Sequence, residues 1–183
     1  AKINQDILIL PDDQMLELVR AANVLGTTTS RYVVIRDYYV RKKVDYKIAG
    51  RMLEELNSFH GATQEDMKLI NLLPADFFNN VEVEIIRVGA DAYMKAGNYK
   101  AAMNCLSKVL SKEPNDWRSW VSYSLLILQG TRNYKSAIPF LEKGEQAASA
   151  TGEFRQFIEL LHSVPELQQI YGIIQQQRTQ GIN

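Results

Sequence analysis

"IIRVGADAYMKAGNYKAAMNCLSKVLSKEPND", residues 85–116, is the stretch that decides the fold class. Ile86, Gly89 or Ala90, and Tyr93 recur at steps of three, four and seven, the spacing of one helix face. "AGNY", Ala96 to Tyr99, then supplies turn chemistry. Ala102, Leu106 and Val109 form a second helical stripe, which Pro114 ends. The small side chains of Ala90 and Ala102 let two such helices approach closely. The stretch reads as a helical hairpin.

The same ruler finds a second copy in "WRSWVSYSLLILQGTRNYKSAIPFLEKG", residues 117–144. Trp120, Tyr123, Ser124 and Ile127 take the first-helix steps, and Tyr134, Ala137, Leu141 and Gly144 the second-helix ones. Trp120 and Tyr134 are 14 residues apart, against 13 for Ile86 and Tyr99, so the turn "QGTRNY" holds one extra residue. Ala102 and Ala137 are 35 apart, as that insertion requires. Pro139 reads as lying near the start of a helix, where its missing N–H is tolerated.

A degenerate third copy begins in "RYVVIRDYYVRKKVDY", residues 31–46. Tyr32, Ile35, Arg36 and Tyr39 take the first-helix steps, with Arg36 where a small residue is expected. Tyr46, Ala49, Leu53 and Leu56 take the second-helix steps. Taken alone, this basic and aromatic segment resembles a stacking platform for single-stranded nucleic acid, and Val33 to Ile35 have strand character. With the repeat as ruler, Tyr32, Ile35 and Tyr39 become an inward stripe. Arg41, Lys42 and Lys43 then fall at a helix C-terminus, where cations complement the dipole.

These copies resemble the tetratricopeptide repeat (TPR), whose pattern is W-x2-L-G-x2-Y, then A-x3-F, then P over about 34 residues. Ile86 stands in the Trp place, Gly89 in the Leu place and Ala90 in the Gly place. Tyr93, Ala102 and Pro114 match, and Leu106 replaces the Phe. The resemblance is good over 83–144 and loose over 29–60. It implies a single all-α domain over 1–183: a right-handed superhelical stack of antiparallel helical hairpins, a TPR-like solenoid closed by capping helices. The expected pieces are an N-terminal helix at 12–26, a degenerate repeat at 29–60 and an irregular helical insert at 61–82. Repeats at 83–116 and 117–150 follow, then C-terminal capping helices and a tail at 151–183. Local signals agree. Asp12 and Asp13 suit a helix start, Gly26 a stop, Thr63 and Asp66 a capping box, and Ser163 with Glu166 a second box beside Pro165.

Composition excludes several classes. At 183 residues with 46% hydrophobic and 23% charged content, the chain is ordinary for one globular domain. Its 21 basic and 21 acidic residues cancel, so the basic excess that drives polyphosphate binding is missing and nucleic acid is disfavoured as the main partner. The single Cys105 precludes an intramolecular disulfide and a cysteine-based zinc cluster, and on the second-helix stripe it reads as a buried, inert thiol. Neither His60 nor His162 stands in a metal-binding or catalytic motif. G-x-S-x-G, phosphate-cradling and dinucleotide-binding motifs are absent from the sequence, so a non-enzymatic protein without cofactor or small-molecule substrate is expected. The apolar run Ile7 to Leu10 is too short for a signal-peptide core, and cytoplasmic residence without membrane insertion is expected.

The resemblance also implies where a partner would bind. In TPR proteins a concave groove is lined mainly by first helices. By position, that face holds Val33, Asp37, Val40 and Arg41 in the degenerate copy. It holds Glu84, Arg87, Asp91 and Met94 in the next, and Arg118, Val121, Leu125 and Leu128 in the last. The competing reading is that the aliphatic members, Leu125 and Leu128 above all, pack under the C-terminal helices. Asp91 and Leu125 stand where an asparagine would serve carboxylate recognition, so an amphipathic helix or extended segment fits better than a chaperone C-terminus. The expected function is a protein-binding adaptor or chaperone. The chain is similar in size and architecture to the chaperones of bacterial type III secretion translocators. The alternative is a structural subunit that uses the scaffold for self-association.

Overall fold

The computed structural model of the chain describes residues 11–25, 35–36, 38–39, 44–59 and 61–181. Its elements in order are α1 (Asp12–Leu25), α2 (Tyr46–Ser58), α3 (Gln64–Met67), two 3-10 turns (Lys68–Leu72 and Phe77–Asn79), α4 (Val83–Lys95), α5 (Tyr99–Lys112), α6 (Trp117–Thr131), α7 (Tyr134–Ala150), α8 (Phe154–Ser163) and α9 (Pro165–Thr179). The described residues contain no strand, so the chain is all-helical over them. Gly26, Tyr32 and His60 lie outside those residues. The chain divides into two units, Ala1–Cys105 and Leu106–Asn183.

In the first unit α2 packs against α1 and α4, and α3 and the two 3-10 turns pack on α4. Asp12 and Asp13 open α1 as their charge predicts, and Met15, Leu16 and Val19 bury its inner face. Ile35, Arg36, Tyr38 and Tyr39 are helical. Ile35 and Tyr39 are buried as the stripe requires; Tyr38 is buried as well, and Arg36 is half-buried. The Tyr38 hydroxyl donates to Asp12 Oδ2 at 3.0 Å and accepts the Asp45 N–H at 3.1 Å. Asp45 itself caps α2, its carboxylate accepting from the Lys47 and Ile48 N–H groups at 2.9 and 3.3 Å. Tyr39 donates to the Ala49 carbonyl at 3.2 Å inside the core. Burial raises both phenols above the ordinary range, with Asp12 adding to the effect on Tyr38, so both stay protonated.

The capping box at Thr63 and Asp66 is formed in both directions, at 3.2 and 3.0 Å. On α4, Ile86, Gly89 and Ala90 are buried, and on α5 Ala102, Leu106 and Val109 are buried, matching the two stripes read from the sequence. Tyr93 is half-buried, and burial with a smaller effect from Cys105 pushes its phenol up to about 12. Gly97 makes the turn at φ +80°, and the Asn98 carboxamide caps α5 by accepting from Ala101 N–H at 3.2 Å. Cys105 is buried with a free thiol.

In the second unit α6 and α7 make the most extensive helix–helix contact among the described elements, and α8 and α9 pack on α7 and on each other. The small residues of the stripe bring α6 and α7 together. Ala137 and Leu141 are fully buried, and a Cβ at Gly144 would lie 3.2 Å from Val121. Ser124, also fully buried, donates to the Ala137 carbonyl at 2.9 Å.

Two local expectations fail. Pro139 lies inside α7 rather than at its start, in the second turn, where the helix runs on without the N–H it would otherwise use. Ser163 does not cap α9. Pro165 occupies the first helical position and holds Val164 extended (φ −126°, ψ 105°), which makes Val164 the cap. Ser163 stays in α8, and its hydroxyl donates to the Leu160 carbonyl at 2.7 Å.

Candidate partner-binding surface

The expected site residues of α4 share one side of that helix, and two of those on α6 are buried. Val33, Asp37, Val40 and Arg41 lie outside the described residues. Glu84, Arg87, Asp91 and Met94 fall within roughly a quarter of the circumference of α4, opposite its buried stripe. Glu84 is exposed and the other three are half-buried. Arg87 pairs with Glu84. Asp91 accepts from Asn57 Nδ2 at 2.9 Å and pairs with Lys95 Nζ at 3.1 Å. Lys95 also donates to the Asn57 backbone and side-chain oxygens at 2.9 and 3.1 Å. The charges of this face are thus locally neutralised, and Met94 is its apolar member. Beside it, Asn57, Phe59, Gln64, Met67 and Lys95 line a cleft of about 470 Å³.

On α6 the expectation is corrected. Val121 is 2% exposed and Leu128 8%, both in the core cluster that also holds Phe157, Leu161, Leu167, Ile170 and Ile174 of α8 and α9. Neither lines an open groove. Leu125 is half-buried and packs against the same cluster, while Arg118 is exposed with its guanidinium 4.3 Å above the Trp117 ring. The reason is the apolar character of α6 on nearly every side: spacing alone does not say which side the C-terminal helices cover.

The first-helix stripe of this hairpin differs for the same reason. Trp117, not Trp120, is the buried indole; its Nε1–H donates to Glu153 Oε2 at 2.8 Å and its ring meets Phe157 edge-on at 5.9 Å. Trp120 and Tyr123 are half-buried. With Leu110 of α5 and Phe140 and Lys143 of α7 they line a cleft of about 330 Å³ whose lining is not among the expected site residues. The signal was Phe140 and Lys143 three residues apart on α7, off the stripe of Ala137, Leu141 and Gly144.

Elsewhere on the second unit, Glu145 joins α7 to α9. Its carboxylate accepts from Tyr171 and from Arg178, whose Nη2 lies 2.6 Å from Oε1. Burial opposes ionisation of Glu145, but the hydrogen bonds from Arg178 and Tyr171 outweigh it and hold the carboxyl below its usual value. Burial, then Glu145, pushes the Tyr171 phenol up to about 12.

Among the described residues no group of three or more His, Cys, Asp or Glu side chains could hold a metal ion. His162 is exposed at the end of α8 with its ring 3.0 Å from the Gln168 amide. Among the described residues no helix is long and apolar enough to cross a membrane. No protein-family model matches the chain, and no curated protein matches it in sequence.

Proposed function

We propose that the chain is a TPR-like stack of helical hairpins that binds a segment of another protein and performs no chemistry of its own, as an adaptor or chaperone. The observation that carries this reading is the α4 face. Arg87, Asp91 and Met94 remain partly exposed in a row along one helix while Ile86, Gly89 and Ala90 bury the opposite side. A row of paired charges with one apolar side chain suits an amphipathic helix or an extended segment, which offers an apolar anchor and a few charges in register. The repeated turn spacing and the close approach at Gly144 support the hairpin stack. The face comprises Glu84, Arg87, Asp91 and Met94.

The test is affinity capture on the full chain, comparing wild type with Arg87→Glu plus Met94→Glu, both checked for helicity by circular dichroism. The same protein partner should be retained by wild type and lost by the variant. Retention by both removes the α4 face as the binding surface. A concentration-dependent dimer in light scattering, abolished by the same variant, would favour self-association instead.

A further inference from the structure

We propose that the second unit carries a separate docking cleft for an acidic peptide segment, which places an apolar side chain against Trp120 and Phe140 and a carboxylate on Lys143. The inference rests on the partner-binding reading above, but uses a different surface. Trp120 is half-buried at the edge of the core cluster that holds Val121 and Leu128, and its ring stacks with Phe140.

The cleft has largely apolar walls, and the Trp120 N–H and the Ser111 hydroxyl are already committed. The Phe140 ring sits 4.8 Å from Tyr123 and 6.2 Å from Trp120, and Leu110 faces them from α5. The Trp120 Nε1–H donates to the Pro114 carbonyl at 2.8 Å, so the indole presents carbon rather than an unmet donor. Ser107 and Ser111 add hydroxyls to the lining. An aliphatic or aromatic side chain entering here meets apolar surface without stranding a buried polar group.

Charge selects the rest of the occupant. Lys143 is the one charged residue of the lining, and its Nζ lies 4.9 Å from the Trp120 centroid and 5.7 Å from that of Phe140. Among the described residues it has no carboxylate partner. The segment that builds the cleft, 106–150, carries Lys108, Lys112, Arg118, Arg132, Lys135 and Lys143 against Glu113, Asp116, Glu142 and Glu145. Glu142 and Glu145 are engaged by Arg178 of α9, at 3.9 and 2.6 Å. A chain that is neutral overall is therefore locally basic around an apolar cleft, and an acidic segment is its complement. The ring contacts hold the lysine stem in place before the partner arrives, so less freedom is lost on pairing. A nucleobase fits less well, because Lys143 already covers the ring face on which a base would stack.

The experiment uses the full chain and fluorescence anisotropy. The probes are fluorescein-labelled short peptides combining leucine or phenylalanine with glutamate, their lysine-for-glutamate counterparts, and a labelled single-stranded oligonucleotide. The acidic peptides should bind, more weakly as salt rises, and the lysine counterparts should not. Lys143→Glu should weaken binding about fivefold to tenfold, Lys143→Gln less, and Phe140→Ala tenfold or more, with circular dichroism unchanged. Arg87→Glu should leave these affinities as they are. Equal binding by wild type and Lys143→Glu, no acidic peptide bound at about 1 mM protein, or preferential binding of the oligonucleotide would each overturn the proposal. Loss of peptide binding in Arg87→Glu alone would overturn the cleft while leaving the α4 face standing.

Discussion

The ring of Phe78 occupies the space that a side chain at position 89 would need: a Cβ on Gly89 would come 2.3 Å from Phe78 Cε1 and 2.6 Å from Cζ. The glycine that takes the Leu place of the repeat pattern is thus explained by an aromatic from the insert, buried against α4. Gly89→Ala must displace a ring that also packs edge-on with Phe77 at 4.9 Å. It should destabilise the protein by about 1–3 kcal/mol in urea unfolding, despite alanine's better helix propensity. Gly172 in α9 meets nothing within 4 Å, so Gly172→Ala should stabilise by about 0.5–1 kcal/mol. The opposite signs separate close packing from propensity.

Arg132 ends α6 in the left-handed region at φ 53°, donating its N–H to the Leu128 carbonyl at 2.7 Å. It is the described non-glycine residue with positive φ, and glycine is the usual occupant of that position. Arg132→Gly should therefore raise stability by a few tenths of a kcal/mol to about 1 kcal/mol. Arg132→Val, whose branched Cβ resists that conformation, should lower it by a similar or larger amount. Thermal unfolding of the two variants checks the pair.

The bonds of Glu145 to Tyr171 and Arg178 set both pH limits of the α7–α9 contact. The folded carboxyl titrates below its ordinary value, so its stabilisation is present above the usual Glu range near 4.3 and is lost as pH falls through the lowered value. The Tyr171 phenol is raised to about 12, so its contribution is whole below about 10 and is lost as pH rises from there toward about 12. Glu145→Gln should flatten the acid limb of a melting-temperature profile, and Tyr171→Phe should reduce the alkaline limb. A wild-type profile with no acid limb would contradict the assignment.

Much of the helical layout was legible because the signals were local or periodic. The box at Thr63 and Asp66, the turn at Gly97, and the stripes Ala102–Leu106–Val109 and Ala137–Leu141–Gly144 needed no knowledge of distant contacts. Ser163 misled because Pro165 restrains the residue before it and moves the cap by one position. The site was less legible. Val121 and Leu128 share α6 with Leu125, and only the placement of Phe157 and Leu161 decides that they are core. Trp117 and Trp120 are likewise three residues apart on an apolar helix, and the acceptor that buries the first, Glu153, is 36 positions away. The cleft beside Trp120 comes from three separate helices, which no single periodicity encodes.

The most direct test of the central claim is the affinity of the captured partner for purified protein, measured by titration calorimetry against wild type and Arg87→Glu plus Met94→Glu. The partner-binding reading predicts saturable binding to wild type and an affinity lower by tenfold or more in the variant, with the circular dichroism spectrum unchanged. Equal affinities for the two proteins would contradict it.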